Sequence, residues 1–359
     1  MACLAMAEAR LHSGYALFRV ESGHQSVWCT SKCLEFLDAK DSLYAALVAG
    51  GAANAMPPTL ILDWDCAQSR AADIDEFIAG QQGVVILKAA LGAGGFGLYL
   101  VTTAQDCLSV IIAHASKARD VEGFLDKLKR DYAGTVPCWS LQARLSPVRV
   151  SQRKSQARVY VIFLECAGVA GGQLFLYETV EIRLPVWCVE DPGAQPTQSD
   201  DLVQYEQAIC AGSDARAYNT GRVKRDTERL LLSECPELQG AQEIVLACLV
   251  RALGALGGVI LTRCLQQQTA ASADTSQAAK CPPYHRMAVV GADVLISRDA
   301  SGALQAHILE FNNNPAIPDP EKHKMSVLYR QHLVEYCRGQ ITLGLSGGKS
   351  RKGFRYVHF

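Results

Sequence analysis

The chain has 359 residues, 49% hydrophobic and 20% charged, enough for a substantial core and for two or three lobes. A net charge of −1 excludes a global field for nucleic acid, and the lack of an unbroken run of about 18 apolar residues argues against a membrane span. The 14 cysteines are scattered, with no CxxC pair and no paired zinc spacing, so buried reduced thiols in a cytoplasmic protein are the expectation.

The first residues, MACLAMAEARLHSG, lack the basic n-region and long h-region of a signal peptide. Residues 1–60 read as a small N-terminal lobe: a strand over 15–20, helices over 31–37 and 41–48, and a Gly/Ala/Pro-rich linker over 50–58. A central lobe is expected over 61–140, opening with a short helix over 73–81. Next comes QGVVILKAALGAGGFGLYLV, residues 82–101. Gly92, Gly94 and Gly97 match G-x-G-x-x-G, with Gly95 between them. A Rossmann fingerprint requires a helix after the loop, whereas LYLV is β-like. The spacing instead predicts a glycine flap between two antiparallel strands. Its N–H groups can approach nucleotide phosphates because no Cβ intervenes, with Lys88 as a cation at the strand end.

Further along, a helix is predicted over 108–129 and strands over 138–145, 157–164 and within 173–184. Residues 185–201 and 213–225 read as loops, 242–256 as a helix and 265–283 as a mobile insertion poor in large apolar residues. A helix over 321–338 closes a C-terminal lobe of 141–345, and a basic tail occupies 346–359. Between Asp131 and Glu165 no acid occurs, yet Arg144, Arg149, Arg153, Lys154 and Arg158 do, which suggests an anionic ligand.

Two late strands, 287–296 and 303–311, are joined by turn chemistry at Arg298, Asp299, Ser301 and Gly302. Period-two alternation puts Glu310 and Asn312 on one face, with Ile308 and Ala306 behind them and Asp293 on the neighbouring strand. Two carboxylates and an amide oxygen are hard ligands suited to Mg²⁺, which shares its other positions with phosphates. His307 is read onto the opposite strand face, as a structural residue.

Together these pieces resemble an α+β ATP-grasp fold and, more closely over about 56–338, the tubulin–tyrosine ligase-like family. MPPTLIL looks like that family's entry segment, and VVILKAALGAGGFGLYLV like its lysine strand and flap. WSLQARLSPVRVSQRKSQARVYVIF looks like its hinge strand followed by Lys-x-Asp-x-Arg. LYETVEIRLP, RAYNTGRVKRD and GADVLIS…HILEFNNNP look like its arginine strand, its His-Leu-Thr-Asn segment and its metal hairpin. The resemblance implies ATP and Mg²⁺ as cofactors. It places Lys88, Gly92, Gly94, Gly95 and Gly97 on phosphates, Leu141 and Gln142 at the adenine, and Asn219 near the phosphates. Lys154, Arg158 and Arg183 would face the acceptor carboxylate or acyl phosphate, while Asp293, Glu310 and Asn312 would hold the metal.

Two positions depart from the pattern. Ala143 stands where the family has a hinge lysine, and Gln156 replaces the aspartate of Lys-x-Asp-x-Arg, removing a charge that would recognise an ammonium. The implied activity is ATP-dependent joining of an amino acid to a polypeptide carboxylate through an acyl phosphate. The expected partners are a tubulin tail or another acidic tail and a free amino acid, in the cytoplasm with a cytoskeletal association. No nucleic acid and no membrane are expected. A non-catalytic tubulin- or microtubule-binding relative and a ligase of small metabolites are the competing readings.

Overall fold

A computed structural model describes residues 27–28, 32–62, 68–81, 83–90, 98–119, 138–165, 172–185, 227–273, 286–313, 315, 325–345 and 353–358. The strand expected over 15–20, the flap glycines and Asn219 lie outside the described residues.

The described elements begin with β1 (Val27–Trp28), a 3-10 turn (Lys32–Leu37), α1 (Lys40–Ala49) and β2 (Thr59–Leu62). Next come α2 (Ala71–Gly80), β3 (Val85–Ala89), β4 (Leu98–Val101), α3 (Ala104–Arg119) and β5 (Trp139–Ala143). The hairpin β6 (Arg149–Val150) and β7 (Arg153–Lys154) leads into β8 (Gln156–Glu165), β9 (Gly172–Tyr177), β10 (Glu181–Pro185) and β11 (Thr227–Leu231). The last elements are α4 (Ala241–Ala273), β12 (Arg286–Arg298), β13 (Leu304–Asn313), α5 (Val327–Leu345) and β14 (Phe354–Val357).

Two sheets organise these elements. The small sheet is antiparallel in the order β2-β5-β3-β4. Its core face packs Leu87, Trp139 and Leu141 against Ile74 and Ile78 of α2 and Cys107 and Ile111 of α3. Burial pushes the Cys107 thiol up to about 12, so it stays an uncharged core group. The large sheet has eight strands, with β12 and β8 at its centre. Along β8, Ala157, Val159, Val161 and Phe163 face one side, where Leu246, Leu249, Leu253 and Leu256 of α4 cover them. Tyr160, Ile162 and Leu164 face the other, beneath Tyr336 of α5.

Several expectations change here. Residues 1–60 do not form a separate lobe as far as they are described, because Leu34, Leu43 and Leu47 belong to the α4 side of the large-sheet core. Boundaries at 60 and 140 would each cut a strand of the small sheet, since β2 pairs with β5. The first part of the expected insertion, 265–273, continues α4, because the Gln/Ala-rich sequence favours helix and carries no breaker. By length and composition Ala241–Gln266 is apolar enough to cross a membrane, yet its apolar stripe lies in the large-sheet core. The basic tail carries β14 on β9, with Val357 buried and Arg355 paired to Glu178 at 3.0 Å.

The late hairpin forms with its expected turn. Asp299 Oδ1 accepts from the backbone N–H groups of Ser301 and Ala303, and Gly302 takes φ +85°. A bulge alters its parity. Asp293 pairs with Glu310 but Val294 pairs with Ile308, leaving Leu309 as the extra residue. Ile308 and Ala306 therefore join Phe311 on the α4 face instead of backing Glu310. By the same shift, the register puts His307, opposite Leu295, on the side that carries Asp293 and Glu310.

Candidate active site

The site forms where the face of the large sheet away from α4 meets the small sheet. Register aligns Gln156 with Arg183, Arg158 with Glu181, and Arg183 with Arg229, so these side chains share that face. Asp293 and Glu310 stand opposite each other on β12 and β13.

Asp293 is buried and takes both nitrogens of an arginine fork. Arg158 Nε donates to Oδ1, and Arg158 Nη2 donates to Oδ2 at 2.7 Å. The Nη1 of Arg183 lies 3.9 Å from Oδ1. The amide of Asn312 donates to Asp293 Oδ2 at 3.0 Å and to Glu310 Oε1 at 3.3 Å. Gly291 lets Arg158 lie this close, because a Cβ there would sit 2.5 Å from Arg158 Nη1. Glu310 also meets Lys40 at 3.2 Å. Burial favours the protonated Glu310 carboxyl, but the charges of Lys40, Arg158 and Lys88 outweigh it and hold the group below its ordinary value.

Lys40 was not foreseen. It opens α1, where its N–H donates to Ala90 O at 3.3 Å at the end of β3, and Asp41 accepts from Cys138 N–H at 3.3 Å. That junction fastens the small sheet to the hairpin. An Ala-Lys-Asp run carries little signal of a buried cation. Lys88 donates to Gln142 Oε1, and Gln142 Nε2 donates to Thr59 Oγ1 at 3.0 Å. Ser140, opposite Lys88 in register, has a buried hydroxyl with no hydrogen-bond partner among the described residues. The residues flanking the glycine flap pair antiparallel, Lys88 with Leu98, as a flap requires.

A second network was also missed. Glu181 Oε1 accepts from Arg183 Nε at 2.6 Å and from Arg229 Nη1, while Oε2 accepts from Tyr329 at 2.7 Å and Tyr160 at 3.1 Å. Burial raises the Glu181 carboxyl, but the two guanidiniums and the Tyr329 hydroxyl outweigh that and hold it far below its ordinary value. Burial, with the Glu181 charge, pushes the Tyr160 hydroxyl up to about 12. The alternation of Glu181, Ile182, Arg183 and Leu184 was the available signal, since it sets an acid and a base on one strand face.

Other expected residues fall differently. Leu141 is fully buried in the small-sheet core. Lys154 is half-buried in β7, and Gln156 is buried beside Arg183. The acid-free run is not a uniform basic surface. Arg153 pairs with Glu228 at 2.8 Å and Arg158 with Asp293, both acids arriving from distant strands.

Among the described residues, no three His, Cys, Asp or Glu side chains cluster as a metal site. Asp293, Glu310 and Asn312 instead offer two carboxylates and an amide, a hard donor set that suits Mg²⁺ once a half-turn of the Asn312 amide presents its oxygen.

No protein-family model matches the chain, and no curated protein matches it. Among solved structures 165 chains are similar. One is the C-terminal domain of Pby1 from K. lactis, described as an ATP-grasp enzyme interacting with the mRNA decapping enzyme Dcp2. It shares 14% identity with a TM-score of 0.51, over 94% of this chain and 82% of that one. The chain thus has an ATP-grasp-like α+β fold.

Proposed function

We propose that the chain is an ATP- and Mg²⁺-dependent carboxylate–amine ligase that joins a free amino acid to a polypeptide, with an acidic tail such as tubulin's as acceptor. The observation that carries this reading is the convergence of Asp293, Glu310 and Asn312 on an ATP-grasp-like fold, with Lys88 on the facing sheet and arginines alongside. Lys88 and the flap backbone would hold phosphates, and Lys40 would add a second cation from α1. Asp293, Glu310 and Asn312 would hold Mg²⁺, which supplies charge neutralisation at the phosphates when bound. Arg158 and Arg183 would orient the carboxylate and stabilise negative charge where it develops, through planar forks held by Asp293 and Glu181. Lys154 and Asn219 keep the roles the resemblance gives them. The expected locale is the cytoplasm, on the cytoskeleton.

The test is incubation with tubulin, ATP, Mg²⁺ and a panel of amino acids, read by mass spectrometry. A mass shift of one or more amino-acid residues, absent without ATP, is the expected result. No shift with any amino acid contradicts ligation to tubulin. A second reading, a non-catalytic tubulin-binding relative, is favoured by the Arg158 fork on both oxygens of Asp293, which competes with a cation for them. It predicts tubulin binding that survives Glu310→Gln.

A further inference from the structure

Arg229 lies on β11, outside every motif that pointed to function, yet its side chain is only 9% exposed and shares a face with Arg183. Burying a guanidinium requires compensation. Its ion pair is with Glu181 Oε1, the same oxygen that Arg183 Nε occupies. The other oxygen is taken by Tyr160 and Tyr329. Glu181 is therefore saturated with four donors, and one carboxylate balances two guanidiniums. Next to it, Asp293 is gripped by Arg158 and touched by Arg183 at 3.9 Å. Among the described residues, three arginines thus share two carboxylates. Independently, Arg229 Nε is buried with no hydrogen-bond partner among the described residues. A surplus cation and an orphaned donor at one place lack an acceptor that carries negative charge.

We infer that Arg229 and Arg183 form an anion subsite, aimed by Glu181 as a positioning residue, that takes a carboxylate of an acidic polypeptide. The inference deepens the ligase reading by giving its acceptor a second point of attachment, and in that sense rests on it. Glu181 fixes the direction of both guanidiniums at once, because Arg183 offers its Nε edge and Arg229 one terminal nitrogen. Arg183 Nη1 is then turned toward Asp293 and the metal-binding hairpin. A carboxylate held there would lie beside the reacting end of the site.

The test is calorimetric titration of the full chain with a short polyglutamate peptide, with polyglutamine of equal length as control. Wild type should bind polyglutamate with an affinity that falls as salt rises, and should not bind polyglutamine. Arg229→Met should weaken binding by about tenfold or more, and Arg229→Lys should recover part of it, because a point charge replaces a fork. Glu181→Gln separates positioning from simple attraction. It makes the face more positive, so attraction alone predicts tighter binding, whereas loss of aim predicts weaker binding. Thermal melts accompany each variant, and the interpretable set is that with a wild-type Tm; should Arg229→Met not fold, Arg229→Lys decides. No polyglutamate binding by wild type, unchanged affinity in the folded Arg229 variants, or tighter binding by Glu181→Gln would overturn the inference. Mg·ATP is titrated in parallel. Peptide results as expected without ATP binding would remove the ligase reading and leave the anion subsite standing.

Discussion

The two faces of the large sheet are built on opposite principles. On the α4 side, alternate residues of β8, β12 and β13 are Ala, Val, Ile and Phe, closed over by leucines. On the other side, the same strands carry Arg158, Asp293 and Glu310, and β10 adds Glu181 and Arg183. Both faces are buried where β8 and β12 run, but burial stabilises the first and taxes the second. A chain that buries five or more charges does so only with partners within reach: Lys40, Arg158 and Arg229 find theirs on other elements, and Arg183 finds Glu181 on its own strand, β10. The comparison teaches where to look for chemistry: at the buried charges that folding alone would not select.

The largest effect should come from unpairing the polar face. Arg158→Ala leaves Asp293 buried without its fork and should cost about 3–5 kcal/mol in urea unfolding. The double change Arg158→Met with Asp293→Leu should recover most of that loss; a double variant as unstable as the single one would break the comparison. On the apolar face, Leu249→Ala should cost about 2–5 kcal/mol through a cavity against the sheet. Its folded fraction should bind nucleotide as wild type does. Gly291→Ala, on the polar face, should cost about 1–3 kcal/mol, since its Cβ meets Arg158 Nη1 at 2.5 Å and Pro315 Cβ at 2.9 Å. The smallest effect at neutral pH is the most specific one. The folded Glu181 carboxyl lies below its ordinary 4.5, so its stabilisation is complete above that pH and is lost as pH falls through the folded value. Tm should decline more steeply below about pH 4.5 in wild type than in Glu181→Gln. Parallel curves would place the acid sensitivity elsewhere.

Much of this was legible from local pattern. The two strands flanking the glycine loop, the ARVYVIFL strand and the paired strands and turn of the Asp293/Glu310 hairpin follow from period-two alternation and turn residues, and these strands form. What escaped the sequence is nonlocal. The Leu309 bulge shifts parity by one residue and moves Ile308 and Ala306 to the core face. β14 is a four-residue edge strand whose charged approach hides FRYV, and it forms because β9 offers a partner and the tilted rings of Tyr177 and Phe354 meet at 5.0 Å. β11 is likewise brief, and it is fixed by pairing with β10. Lys40 and Arg229 enter the site, and Tyr329 reaches Glu181, through contacts 48 to 148 residues distant in the chain or longer, which no window along the sequence can see.

The central claim is that the facing Lys88 and Asp293/Glu310/Asn312 groups make one nucleotide–metal site. The most direct measurement is calorimetric titration of ATP into the full chain with and without Mg²⁺, for wild type and Glu310→Gln. Mg²⁺-dependent binding by wild type, lost in a Glu310→Gln variant that melts as wild type does, is the predicted result. No ATP binding by wild type, or equal Mg²⁺-dependent binding by Glu310→Gln, would contradict the account.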